Sequence, residues 1–169
     1  PNNPSGNWLK SIKDSKLLSN KQRVKALEIL YDNKCIMTTG STSPNEIDKI
    51  GIVKATSLAI NRAIDKLSQK PDMLLVDGFT LPGITVPQKP IIKGDRKCLS
   101  IAAASIVAKV TRDEFMLQQN EIYPEYRFDS NKGYLTKKHS QAINEHGPCA
   151  IHRYSFEPII SMATPKLFN

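Results

Sequence analysis

Apolar positions along this chain repeat with two different periods, and the switches between them mark its elements. Val24, Leu27 and Tyr31 follow one another at helical spacing, which predicts an amphipathic helix over 20–32. Ser19-Asn20-Lys21-Gln22 opens it with a capping-box pattern. Residues 35–39 are β-prone and end at Gly40, which predicts a strand. Ser43-Pro44-Asn45-Glu46 begins a second helix, with Pro at its first position, running to about Ile50. A longer helix is expected over 52–68, with Ile52, Ala55, Ala59 and Ala63 as its stripe and Ile60, Ile64 and Leu67 beside it. Lys54, Arg62 and Lys66 lie off that stripe and read as a solvated basic face. Residues 73–76, Met-Leu-Leu-Val, form a short continuous apolar run consistent with a buried strand ended by Asp77-Gly78. Pro82, Pro87 and Pro90 restrict any strand over 81–93 to an edge or an interrupted one, with Ile91 and Ile92 as its last short piece.

The stretch 93–115 organises the rest. It opens with a turn signal, Gly94-Asp95, and continues as a small-residue apolar helix over 100–110. It ends in a charged cluster of Lys109, Arg112, Asp113 and Glu114. Ala102, Ala103, Ala104 and Ser105 leave room for close approach, and a helix this apolar is expected in the interior, packed on a sheet. A carboxylate emerging from its end would be held by rigid structure. Beyond it come an irregular basic-aromatic segment, YPEYRFDSNKGY, and a helix over 136–146 stopped by Gly147-Pro148. The tail, His152-Arg153-Tyr154-Ser155-Phe156, is again basic and aromatic, and the first ten residues read as a loop around Trp8.

Length and charge narrow the picture. A chain of 169 residues fits one domain with a real core. No apolar run reaches membrane-span length and no signal peptide is visible, so a cytoplasmic location is expected. A net charge of +8 favours an anionic partner, nucleic acid first, although a passive basic surface has the same composition. Three cysteines, Cys35, Cys98 and Cys149, without a CxxC pair argue for buried thiols over a disulfide framework or zinc site. His139, His146 and His152 lack metal-ligand spacing and read as surface or structural residues.

Two carboxylates stand out by placement. Asp77 ends a predicted strand, where α/β sheets usually carry their sites, but a plain turn aspartate before glycine looks the same. Asp113 follows Lys109 by four residues, so both share a helix face. Spacing does not choose between an ordinary salt bridge and a site. If strand and helix pack, both acids reach one point, and clustered hard oxygens suit Mg²⁺ or Mn²⁺. Lys93, Lys109 and Arg112 would then be placed to hold phosphates.

The block GDRKCLSIAAASIVAKVTRDEF closely resembles the signature of the ribonuclease HII family. Asp14-Ser15-Lys16, Val76-Asp77-Gly78, Asn131-Lys132-Gly133-Tyr134 and His152-Arg153-Tyr154-Ser155-Phe156 resemble further family segments in the same order. The resemblance implies a single α/β, ribonuclease H-like domain over 1–169, a mixed five-stranded sheet flanked by helices, with a C-terminal helical extension over about 120–169. It implies an endonuclease that cuts the RNA strand of RNA–DNA hybrids, and cuts at ribonucleotides embedded in duplex DNA, by a two-metal-ion mechanism using Mg²⁺ or Mn²⁺. Asp77 and Asp113 carry over as catalytic metal ligands. Tyr134 carries over as the residue that packs on the sugar at the RNA–DNA junction. Ser15, Lys16, Lys93 and Lys109 carry over as substrate contacts. Asn131 stands where the family has histidine. The family's opening strand, Asp-Glu-Ala-Gly-Arg-Gly, has no match here, so the N-terminal strands are expected to be missing from this chain. That segment would be disordered, cleaved, or supplied by a companion chain; otherwise a monomer is expected. The alternative is a module that binds nucleic acid without cutting it.

Overall fold

The structure is a computed structural model and describes residues 6–163. The chain divides into two compact units, Pro1–Ser41 with Ser57–Arg112, and Thr42–Thr56 with Asp113–Asn169.

In the first unit, α1 (Asn20–Asp32) has both predicted boundaries. Its capping box is complete: Ser19 Oγ accepts from Gln22 N, and Gln22 Oε1 accepts from Ser19 N. α5 (Leu99–Ile122) is longer than its apolar stretch and passes through the charged cluster without a break. Arg, Glu and Lys are good helix formers, and no Gly or Pro intervenes before Pro124. Asp113 is therefore inside the helix and not at its end. The core of this unit joins Ile12, Ala26 and Leu30 to Ala102, Ile106, Val107 and Val110, with Trp8 and Met37 against it. α5 thus packs here on α1 and the preceding turns; the expected sheet contributes nothing to this cluster. Burying a side chain such as Ile106 or Leu30 is worth roughly 1.5–3 kcal/mol.

Among the described residues the sheet has two strands, β1 (Leu74–Asp77) and β2 (Gln88–Ile91), paired in parallel with Leu74 opposite Gln88 and Asp77 opposite Ile91. Gln88 closes the connection between them by exchanging two 2.9 Å hydrogen bonds with the Leu81 main chain. The run 73–76 is not buried as expected: Met73 is 53% exposed and Leu75 40%. Half-buried and exposed positions alternate along β1, so one face of it is uncovered by the described residues.

The expected strand over 35–39 is absent, because no described strand lies beside it to pair with. Its polar groups turn to α3 (Ile52–Asp65), which ends three residues short of its expected limit. Thr38 Oγ1 donates to the Ala63 carbonyl at 2.8 Å. Arg62 donates to the Ser41 carbonyl at 2.7 Å and Lys66 to the Thr39 carbonyl at 2.8 Å. The basic face of α3 is therefore not merely solvated. It satisfies carbonyls that would otherwise have belonged to a sheet. A Cβ on Gly40 would overlap the Ala59 carbonyl and lie 2.8 Å from Ala63 N, so only glycine lets this segment lie on α3.

The second unit holds α2 (Pro44–Ile50), with its Ser43–Glu46 capping box formed, and the end of α5. It also holds α6 (Phe128–Asn131), α7 (Lys137–His146) and α8 (Ile159–Ala163). Phe128, Ile143, Tyr126, Met116, Ala142 and Ile159 form its core. On α2, Asp48 accepts from Tyr154 N at 2.8 Å, Ser155 N at 3.0 Å and the Ser155 hydroxyl. Burial works to raise the Asp48 pKa, but the Ser155 and Tyr154 donors outweigh it and hold the carboxyl low. All three cysteines are half-buried, not fully buried as expected.

Asp48→Ala removes the shared acceptor of these solvent-exposed donors and should lower stability by about 0.5–1.5 kcal/mol in denaturant unfolding; an unchanged midpoint contradicts the clamp. Gly40→Ala should cost about 1–3 kcal/mol in the same measurement, as overpacking against backbone does.

Candidate functional site

The site begins at the carboxyl end of β1. Asp77 is exposed there, and its Oδ1 accepts the Gly94 main-chain N–H at 2.7 Å. Its other oxygen takes no hydrogen bond from the described residues. Gly94 opens α4 (Gly94–Lys97), a single turn where the sequence signalled a tight turn. The residue before it, Lys93, is exposed and adopts the left-handed conformation, φ 56°. Gly94 is buried, and a Cβ there would stand 2.5 Å from Ile101 Cδ1 and 3.4 Å from Asp77 Oδ1.

α4 also anchors the segment 14–16. Arg96 Nε donates to Asp14 Oδ2 at 3.3 Å, and the Lys16 ammonium lies 3.7 Å from Asp95 Oδ2. Asp14 caps the turn Ser15–Leu17 by accepting from Lys16 N at 3.0 Å. That main-chain bond, with Arg96 beside it, holds the buried Asp14 carboxyl below the usual carboxylate range against the opposing effect of burial. Ser15 is buried and its hydroxyl lies 2.6 Å from that of Ser105 on α5, the close approach the small-residue stretch permits. Arg23 donates to the Ser15 and Leu18 carbonyls at 3.1 and 2.6 Å. The first unit thus gathers Ser15, Lys16, Asp77 and Lys93 around α4. In the sequence Asp95 reads only as part of a turn and Arg96 carries no expected role; their position in the Gly-Asp-Arg-Lys run is the available signal. Lys109 is half-buried on α5.

In the second unit Asp113 is buried, at 6% exposure, and engaged by its surroundings. Tyr134 is 59% exposed, on a loop between α6 and α7. Both ends of that loop are tied to buried side chains. Asn131 donates to the Tyr126 carbonyl at 2.7 Å and accepts from Gly133 N at 2.7 Å. The Tyr134 carbonyl accepts from Thr136 N at 2.9 Å and lies 3.0 Å from His139 Nδ1. His139 and His152 are both buried, their Nε2 atoms 3.1 Å apart, and Cys149 N donates to His152 Nδ1 at 2.9 Å. Of the two roles expected for these histidines, the structural one holds and the surface one does not. Burial, with His139 alongside, pushes the His152 imidazole below its ordinary value of 6.5. Their partnership had no local sequence signal, since the residues are 13 apart and meet only through folding.

As to metal, Asp77 and Asp113 are hard oxygen donors of the kind Mg²⁺ and Mn²⁺ take. Among the described residues no group of three or more His, Cys, Asp or Glu is close enough to hold an ion. Mg²⁺ keeps several waters and commonly binds through one or two carboxylates plus substrate phosphates, so the donor set fits in kind. No described helix is long and apolar enough to cross a membrane.

Fold and site together define an α/β protein with a strand-end carboxylate pinned by a glycine turn and flanked by cations. The profile described as ribonuclease HII matches residues 9–159, and the chain belongs to that family. It is 47% identical over 148 residues to the ribonuclease HII of Clostridioides difficile, covering 88% of this chain and 58% of that one. It is 43% identical over 159 residues to the ribonuclease HII of Idiomarina loihiensis, covering 94% of this chain and 83% of that one. Among solved structures it resembles the ribonuclease H2 from Pyrococcus horikoshii OT3, with a TM-score of 0.67 and 26% identity. That match covers 91% of this chain and 82% of the other. The chain spans little more than half the length of the C. difficile relative. The expected α/β fold of a ribonuclease H-like protein is borne out, in a mostly helical form with a small parallel sheet.

A His with a depressed pKa favours the folded state fully above the unfolded value of 6.5, and that contribution is lost as pH falls through the folded value. The stability difference between the native protein and His152→Gln should therefore narrow as pH falls from about 7 to about 5 in urea unfolding. A difference independent of pH contradicts the buried neutral state of His152.

Proposed function

We propose that this protein is a metal-dependent ribonuclease H that cuts the RNA strand of RNA–DNA hybrids and cuts at ribonucleotides embedded in duplex DNA. The observation that carries the reading is Asp77, exposed at a strand end and fixed by Gly94, within a chain of the ribonuclease HII family. Asp77 and Asp113 are the residues that would hold Mg²⁺ or Mn²⁺, in a two-ion arrangement. When bound, such ions lower the pKa of water and stabilise the leaving oxygen of a phosphodiester.

The rest falls to the chain's own residues. The Gly94 N–H takes one Asp77 oxygen and so fixes the direction of the other. Lys93 and Lys16, both exposed, would receive backbone phosphates, as the net charge of +8 favours. Lys109 is a further phosphate contact in this reading. Ser15 orients the 14–16 turn through its contact with Ser105. The exposed Tyr134 ring would pack on the sugar at the RNA–DNA junction. A companion segment carrying further acids belongs to this reading, as does a cytoplasmic place of action.

The test is a duplex DNA carrying one ribonucleotide, incubated with Mg²⁺ or Mn²⁺. Asp77→Asn and Asp113→Asn should each reduce cutting by about a thousandfold, while binding stays within about threefold because phosphate contacts supply it. Cutting that survives either substitution contradicts the assignment. Salt-sensitive binding without cutting by the unmodified protein would select the alternative, a module that binds hybrids only.

A further inference from the structure

We infer that His139 and His152 are positioning residues for Tyr134: a relay of two neutral imidazoles, locked in opposite tautomers, fixes the Tyr134 carbonyl and with it the direction of the exposed ring. This rests on the reading above that Tyr134 contacts substrate.

The hydrogen bonds determine where each proton is. Cys149 N is a main-chain donor and lies 2.9 Å from His152 Nδ1, so that nitrogen accepts and carries no proton. Neutral His152 then carries its proton on Nε2 and donates it to His139 Nε2, 3.1 Å away. His139 Nε2 accepts, so the His139 proton is on Nδ1, which faces the Tyr134 carbonyl at 3.0 Å. Each link is a donor meeting an acceptor, and the order runs one way, from Cys149 N to the Tyr134 oxygen.

The surroundings keep both rings neutral and in place. Phe128 meets the His139 ring edge-on, with centroids 5.4 Å apart, and Tyr126 meets the His152 ring at 5.0 Å. Both aromatics are almost fully buried. The titratable groups facing the pair are the Cys149 thiol, 3.1 Å from His152 Nδ1, and the Tyr126 phenol, which donates to the Gly147 carbonyl. Burial raises the pKa of both, so neither brings a charge near neutral pH. The Tyr134 carbonyl also takes Thr136 N, and Thr136 Oγ1 caps His139 N at 3.2 Å. The loop carrying an exposed aromatic ring is therefore tied to a buried cluster of paired polar groups. A stretch needed only to join α6 to α7 would have no use for it.

The test is affinity for a duplex DNA with one embedded ribonucleotide, alongside its cleavage, in a double-mutant cycle. Tyr134→Ala should weaken binding about tenfold, the scale of one aromatic contact to a nucleotide. If it has no effect, the reading of Tyr134 as a substrate contact falls, and this inference falls with it. If it has its effect, His139→Leu should reproduce about the same loss, and His139→Asn, which keeps a donor at the Nδ1 position, should recover most of it. In the Tyr134→Ala background His139→Leu should add no more than about twofold. Full additivity, or no rescue by Asn, overturns the inference while leaving Tyr134 a contact. Nitrogen-15 NMR of the unmodified protein provides a second arm that needs no variant to fold. At neutral pH it should show His139 protonated on Nδ1 and His152 on Nε2; His139 protonated on Nε2 overturns the relay.

Discussion

One main-chain donor, the Gly94 N–H, determines how the first unit is assembled. It meets the Asp77 carboxylate at the end of β1, and the turn it opens leads directly into α5. Within four residues, Gly94 to Lys97, three separate stretches of the chain are tied to one another. Gly94 holds the strand end, while Asp95 and Arg96 hold the 14–16 turn. The Gly94 carbonyl takes Cys98 N at 2.8 Å and so leads into α5. A larger residue at 94 would press on Ile101 and on the carboxylate itself. Lys93 accepts a left-handed conformation, uncommon for a side chain of its kind, to let the turn form. Local strain and a glycine without freedom to vary are both directed at the orientation of one carboxylate.

The second unit solves a comparable problem by other means. Its exposed element is a ring and not a carboxylate, and the loop beneath the ring is held by buried amide and imidazole groups. Asn131 fixes the start of the loop and His139 its end. Buried polar groups of this kind are costly unless every one is paired, and here the pairing is complete from Cys149 to Tyr134. Asp48 applies the same principle to the Tyr154–Ser155 turn. In both units, polar contacts to the main chain hold a segment that carries an exposed residue, Asp77 in one and Tyr134 in the other.

What could be read in advance was local. Ser19 with Gln22, and Ser43 with Glu46, announced two helix starts, and both capping boxes formed because their partners lie three residues apart. The strand end at Asp77 was legible from an apolar run meeting Asp-Gly, and the Gly94 turn from Gly-Asp. What failed was non-local. Residues 35–39 have strand composition, yet a strand exists only beside another, and α3 supplied the partners instead. The end of α5 was misplaced because charge was taken as an ending, whereas Arg112, Asp113 and Glu114 continue a helix readily. The burial of β1 was overstated because an apolar run reports a tendency and not the presence of a cover. The histidine pair was invisible, since nothing within a few residues of His139 or His152 names the other.

We propose above all that the Asp77 carboxylate, oriented by the Gly94 N–H, binds a divalent cation beside a bound sugar–phosphate strand. Mn²⁺ binding, followed by electron paramagnetic resonance of the free ion in the presence of a non-cleavable hybrid, tests it without relying on turnover. Asp77→Asn should weaken Mn²⁺ binding, and the exposed carboxylate oxygen that Gly94 leaves free is the atom that accounts for the loss. An unchanged Mn²⁺ affinity in Asp77→Asn would contradict this role.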